Sequence, residues 1–203
     1  MELRTIVLSG FMTNCFVIYN EESREAVIID PASSADRIIE KIDKNECKPV
    51  AILLTHGHGD HIGAVEDLRK EYGVKVYCHK EEKEVLENPE INLSYMMGEN
   101  ISFSPDILLN DGEVIELAGM KIKVIHTPGH TKGSCCYLFE EYGVLISGDT
   151  LFYGSYGRTD FPTGSQATLM RSIKEKLLVL DPGTVVYSGH GSETTIGDEI
   201  KWY

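Results

Sequence analysis

Leu54-Thr55-His56-Gly57-His58-Gly59-Asp60-His61-Ile62-Gly63 is the stretch from which the rest of the chain can be read. Three histidines and an aspartate fall within six residues, directly behind the apolar run Val50-Ala51-Ile52-Leu53-Leu54. A short, continuously apolar run predicts a buried strand. If the backbone stays extended past Thr55, His56 and His58 project to the same side, because side chains alternate along a strand. Asp60 and His61 follow one short turn later, at the start of a helix. A polar turn with surface histidines would account for two such residues. The spacing H-x-H-x-D-H behind a buried strand points instead to a metal site.

Composition sets the frame around that motif. The chain has 203 residues, enough for one large domain, and residues 1–203 are read as a single unit. Hydrophobic content of 42% and charged content of 25% are those of an ordinary globular protein. The net charge of −13, with no basic patch, points away from nucleic acid. No apolar run approaches the ~20 residues of a membrane span, and Met1-Glu2-Leu3-Arg4 shows no export leader. Five cysteines without regular spacing do not suggest a disulfide framework, and Cys15, Cys135 and Cys136 read as buried thiols. A reducing, cytoplasmic setting is expected.

Upstream of the motif, residues 3–8, 15–19 and 25–29 read as strands, the last ending at Asp30-Pro31. Asp30 is either a turn residue or a hydrogen-bond partner of a ligand histidine. Ser33 or Ser34 can cap a helix to about Glu46 with Ile38, Ile39 and Ile42 inward. Downstream, a helix from about His61 to Gly73 carries Ile62, Val65, Leu68 and Tyr72 on one face, and 74–78 is a strand. Glu81 to Asn88 reads as a short charged helix. Residues 89–105 are apolar but aperiodic, and serve either as a lid or as a loop packed on the core. His79 reads as structural.

The second half repeats one pattern. Strands are expected at 113–117, 120–126, 135–139, 144–147 and 185–187, with a helix over 166–180 and a Thr195/Asp198 cap on a last one. Three of the strands run into glycine-containing turns that hold one ligand-type residue: His130, Asp149 and His190. Glycine there lets the backbone turn sharply close to a metal centre. With His56, His58, Asp60 and His61, that makes seven candidate ligands, too many for one tetrahedral zinc. Two metals sharing a carboxylate fit better, with Asp149 the natural bridge.

The set T-H-x-H-x-D-H, T-P-G-H-T, G-D-T-L-F and G-H resembles the metallo-β-lactamase superfamily, and its order and spacing most resemble the glyoxalase II (hydroxyacylglutathione hydrolase) branch. That resemblance implies an α/β, four-layer αββα sandwich with a dinuclear site at the sheet edges. Carried over by motif, His56, His58 and His130 would bind one metal, Asp60, His61 and His190 the second, and Asp149 would bridge, with Asp60 and Asp149 taken as catalytic. His126 stands outside the ligand pattern, as a core or supporting residue. β-Lactamases of this fold commonly replace the residue at His61 and carry a cysteine where Asp149 stands, which points away from antibiotic hydrolysis. Classical glyoxalase II enzymes continue into a helical domain that helps hold glutathione, and this chain ends at Tyr203. The short, single-domain hydrolases of that branch are the better match. The stretch Gly157-Arg158-Thr159-Asp160-Phe161 also recurs in persulfide dioxygenases, which share the fold and use one iron.

Imidazole and carboxylate donors suit two divalent ions, zinc first, with iron or manganese as alternatives. Paired cations lower the pKa of a shared water and polarise a carbonyl. A thiol of pKa ~8.5 leaves without a strong general acid, and no dedicated acid is visible. The expected activity is therefore hydrolysis of S-2-hydroxyacyl glutathione-type thioesters, small-molecule substrates, with persulfide dioxygenation as the alternative and non-catalytic metal binding third. Arg158 is the candidate anchor for the thiol carrier, set against a salt bridge with Asp160.

Overall fold

A computed structural model describes residues 1–8 and 10–203. Six strands, β1 (Glu2–Leu8), β2 (Thr13–Tyr19), β3 (Glu25–Ile29), β4 (Lys48–Leu53), β5 (Lys75–His79) and β6 (Ile107–Leu109), form one sheet in that spatial order. Strands β1 to β3 pair antiparallel, whereas β3 to β6 run parallel. Helices α1 (Ala35–Lys44), α2 (Gly59–Ile62), α3 (Val65–Tyr72) and α4 (Lys83–Leu86) fall in the connections. A second six-stranded sheet uses β7 (Val114–Leu117), β8 (Met120–His126), β9 (Cys135–Phe139), β10 (Val144–Gly148), β11 (Val185–Ser188) and β12 (Thr194–Thr195), in the order β12-β11-β10-β9-β8-β7. Helices α5 (Gln166–Ser172) and α6 (Ile196–Glu199) belong to this half.

Alternation along the strands builds the layers. On β2, Phe16 and Ile18 point between the sheets, where they join Val124, Tyr137 and Ile146. Cys15, Val17 and Tyr19 point the other way, into a layer with Ile38 and Ile42 of α1 and Val65 and Leu68 of α3. On the far side Cys136, Leu138 and Leu145 meet Leu169, Ile173 and Leu177. The result is the expected αββα sandwich. Central strands covered on both faces explain the continuous apolar runs.

Several boundaries differ from the sequence reading. The helix expected from His61 to Gly73 is two pieces, interrupted where the Gly63 and Ala64 amides donate to the Ala32 and Pro31 carbonyls. The helix expected over 166–180 passes into a π turn over Ile173–Leu177. Residues 81–88 are a 3₁₀ turn, Lys80–Glu82, followed by the single turn of α4. Ser34 occupies the start of α1 without making a side-chain cap. Strand β6 was not expected: its three residues follow Pro105, and its ladder comes from β5.

Candidate metal centre

The parallel strands β3, β4, β5, β10 and β11 all end at the same edge of the sandwich, and β8 enters its site loop there too. The two sheets are tied at this edge. Cys135 N–H donates to Thr55 O at 2.8 Å, Asn14 N–H to Gly189 O at 2.7 Å, and Tyr137 O–H to Leu54 O at 2.8 Å.

All seven candidate ligands meet here. His130 Nε2 lies 3.2 Å from His56 Nε2 and 2.9 Å from His58 Nδ1. His61 Nε2 lies 3.3 Å from His190 Nε2, and Asp60 Oδ2 is 3.4 Å from His190 Nε2. In each of these two trios the donor atoms lie within 4.8 Å of one another. Asp149 sits between the trios, with Oδ1 3.4 Å from His61 Nε2 and Oδ2 3.5 Å and 3.6 Å from the Nε2 atoms of His130 and His190. A third grouping, Asp30 with His56 and His61, is geometrically close. The Asp30 oxygens are already used: Oδ1 accepts from Thr55 N–H at 2.8 Å, and Oδ2 from the Thr55 hydroxyl at 2.6 Å and His61 Nδ1 at 3.0 Å. Asp30 is thus the support of a histidine and not a turn residue alone.

The rings are held from behind. His130 Nδ1–H donates to the Arg158 carbonyl at 2.6 Å, and His190 Nδ1–H to the Phe11 carbonyl at 3.1 Å. His56 Nδ1 pairs with the Thr55 hydroxyl at 3.1 Å. A proton held on Nδ1 leaves the Nε2 lone pair facing the centre, as a metal requires. His58 is turned over, Nδ1 inward, and its Nε2 is buried without a partner, as is Asp149 Oδ1. Buried polar atoms without partners are uncommon. Lone pairs facing one another across 2.9–3.3 Å, beside an unpartnered carboxylate oxygen, fit a centre for two metal ions.

Electrostatics separate the two trios. Burial, then the neighbouring rings, holds His56 well below the ordinary histidine range, and burial with His130 takes His58 down to about 3. Burial opposes protonation of His61 too, but Asp149, Asp60 and Asp30 outweigh it and raise that ring. Burial would raise Asp60, yet His61 and His190 hold it down to about 2, and the same two rings with His130 hold Asp149 lower still. Both carboxylates are ionised at neutral pH.

A glycine at position 189 is required by space. A Cβ there would run into Asp149 Oδ1 and the His61 ring.

A cleft of about 460 Å³ opens over the centre. Leu93, Met96, Met97, Phe152 and Phe161 wall it, with Tyr156 and Arg158 as polar groups. The aperiodic segment 89–105 therefore forms one wall. It is a packed loop, anchored by Asn92, whose carbonyl accepts from Gly59 N–H at 2.7 Å and whose amide donates to Ile101 O at 2.8 Å. Arg158 is exposed, paired with Asp160 at 2.6 and 2.9 Å, and 4.1 Å from the centroid of Phe161. Both readings of Arg158, rim cation and salt bridge, describe the same side chain. His79 stacks on His126 with ring centroids 3.8 Å apart and accepts from Glu81 N–H. Both rings lie off the centre, and His126 binds Lys132 O at 2.9 Å.

Two supporting residues escaped the sequence reading. Asn14 donates to Ser188 O and Gly191 O at 2.9 and 3.0 Å, framing His190. Glu82 is fully buried behind the three-histidine trio. Its signal was available: Val85 and Leu86, three and four residues on, put it on an apolar helical face.

The family model described as metallo-beta-lactamase superfamily matches residues 8–190. A relative from Haemophilus influenzae named hydroxyacylglutathione hydrolase GloC is 39% identical, over 99% of this chain and 96% of its own. The crystal structure of BLEG-1 B3 metallo-beta-lactamase superposes with a TM-score of 0.94 at 41% identity, covering 98% and 97% of the two chains. TTHA1623 in a di-iron-bound form gives 0.87 at 33% identity, with the same 98% and 97% coverage. The family model spans most of the chain and the relative aligns over nearly all of it, and the chain belongs to the metallo-beta-lactamase superfamily.

Proposed function

We propose that the chain, acting as a single domain over residues 1–203, is a thioester hydrolase working with two divalent ions. His56, His58 and His130 would hold one ion and Asp60, His61 and His190 the other, with Asp149 available to both. The observation that carries the reading is Asp149, ionised and within 3.4–3.6 Å of imidazole nitrogens from both trios. Ions bound there would supply Lewis acidity and a water of lowered pKa.

The chain's own residues do the rest. Asp60 and Asp149, the proposed catalytic carboxylates, keep their charge at neutral pH. The apolar wall of Leu93, Met96, Met97 and Phe161 limits water around the reacting carbonyl. Among the described residues lining the cleft the one hydroxyl is that of Tyr156, which accepts from Gln166. Nothing there is built to protonate an amide nitrogen, whereas a thiolate leaves unaided. Arg158 at the rim would meet an anionic thiol carrier. The GloC relative supports 2-hydroxyacyl glutathione thioesters as the first substrates to test. Nitrogen and oxygen donors support zinc, and the di-iron relative keeps iron in view beside manganese. Five free cysteines support a reducing, cytoplasmic setting. No helix among the described residues is long and apolar enough to cross a membrane.

The test is release of free thiol from S-lactoylglutathione under anaerobic conditions, with metal content measured on the same sample. Oxygen uptake with glutathione persulfide, one iron per chain and no anaerobic thiol release would select the dioxygenase instead. The likeness to BLEG-1 supports a second reading, β-lactam hydrolysis. It would prevail if a β-lactam were turned over faster than every thioester tried.

A further inference from the structure

Glu82 lies at the end of the 3₁₀ turn that follows β5, with no exposed surface. Its Oε1 accepts from Gly57 N–H at 2.7 Å. Its Oε2 accepts from Gly133 N–H at 2.9 Å and from the Thr131 hydroxyl at 2.8 Å. Gly57 is the residue between His56 and His58, and Thr131 follows His130 directly. One buried carboxylate thus holds the backbone between His56 and His58 and the turn just after His130, and joins a loop of the first sheet to a loop of the second. Among the described residues its hydrogen bonds reach none of the other trio, which rests on Asp30 and Asn14.

We infer that Glu82 is a positioning residue dedicated to the three-histidine trio: it sets the spacing of His56, His58 and His130 and hence that trio's affinity for a metal ion. The inference rests on the ligand assignment proposed above. Burying a carboxylate is costly unless its oxygens are bonded, and here both are. The arrangement leaves no room for drift. A Cβ on Gly57 would press on Leu86, Val85 and Glu82 Oε1, and one on Gly133 would collide with the Glu82 backbone and carboxylate. The two loops can therefore seat directly on the acidic group. Glutamine, though isosteric, cannot replace it: one oxygen becomes an NH₂ and must face the Gly57 or Gly133 N–H, donor against donor.

The experiment compares wild type, Glu82→Gln and the milder Thr131→Val, each alone and in a His190→Ala background that leaves the three-histidine trio as the only complete set. Zinc affinity is read by competition with a chelator, and exchange of the Gly57 and Gly133 amides is followed by NMR in metal-free protein. Glu82→Gln should lower affinity at the three-histidine trio by about 10- to 100-fold, lose protection at both amides, and leave the Asp60/His61/His190 trio within a factor of about two of wild type. Thr131→Val should move the same trio in the same direction by less. Unchanged affinity at the three-histidine trio would overturn the inference. So would parallel loss at both trios with a lowered metal-free melting temperature, which marks a general structural role. A His190→Ala protein that binds no zinc at all would sink the ligand assignment, before any comparison of Glu82 variants, and the inference with it.

Discussion

Asp30→Asn should cripple one metal trio while leaving the fold intact. Asp30 has φ +50°, a conformation that asparagine adopts more readily than most residues, so the backbone is not disturbed. The Asn carbonyl can keep the 2.8 Å bond from Thr55 N–H. Its NH₂ then occupies the place of Oδ2, facing the Thr55 hydroxyl and His61 Nδ1. The hydroxyl can turn to accept. His61 cannot accept at Nδ1 without moving its proton to Nε2, the nitrogen that faces Asp60, Asp149 and His190. Loss of one buried, charge-assisted support at 3.0 Å should cost about 10- to 100-fold in metal affinity, or about 1.4–2.7 kcal/mol. Chelator competition with two resolved binding steps is the assay, with melting of the metal-free protein as the control. Affinity should fall most at the Asp60/His61/His190 trio and less at His56/His58/His130, which meets Asp30 only through the Thr55 hydroxyl, with melting shifted by no more than about 4 °C. Equal affinities in variant and wild type would show that the Asp30 bond does not set the His61 tautomer.

Asp149→Ala should lose at least one metal ion per chain and nearly all hydrolysis while keeping its circular dichroism. Full metal content in that variant would remove Asp149 from between the trios. Arg158→Ala should raise KM for anionic thioesters several-fold at unchanged kcat and metal content, because the bond from His130 goes to the Arg158 backbone and survives; an unaltered KM would leave Arg158 as a partner of Asp160 only. The His79–His126 stack should make stability depend on pH. Burial, then His126, lowers His79 from 6.5 to about 4, so between those values the unfolded chain binds the extra proton. Stability from this group is complete above about pH 6.5 and is lost as pH falls toward 4, by on the order of 3 kcal/mol. His79→Asn retains a capping acceptor and should flatten the slope of unfolding free energy over that window; an identical slope would locate the titration elsewhere.

The placement of the seven candidate ligands was legible because each lies at or shortly beyond the end of a buried strand, and strand ends of an α/β sandwich collect at edges. The layers were legible for a related reason: strands covered on both faces read as unbroken apolar runs. What escaped depended on partners distant in sequence. Glu82 stands in the charged run Lys80-Glu81-Glu82-Lys83-Glu84, which resembles a solvated helix; Val85 and Leu86 mark its face as apolar, but Gly57, Thr131 and Gly133 supply the reason it is buried. Strand β6 has three residues and takes its ladder from β5. The break after Ile62 is caused by carbonyls of Pro31 and Ala32, invisible to helical periodicity.

Each trio draws on both halves of the sandwich: His56 and His58 follow β4 in one sheet and His130 follows β8 in the other, and Asp60 and His61 are joined by His190 from beyond β11. An ion bound to either trio is therefore a cross-link between two sheets that otherwise meet through side-chain packing and a few bonds at one edge. Unfolding the sandwich must release it. Free metal at about 1,000 times its dissociation constant would add about 4 kcal/mol per site to the stability of the folded chain. On the proposed ligand assignment, the lifetime of this protein would be coupled to the metal supply of its surroundings, and a chain starved of metal would be a substrate for proteases.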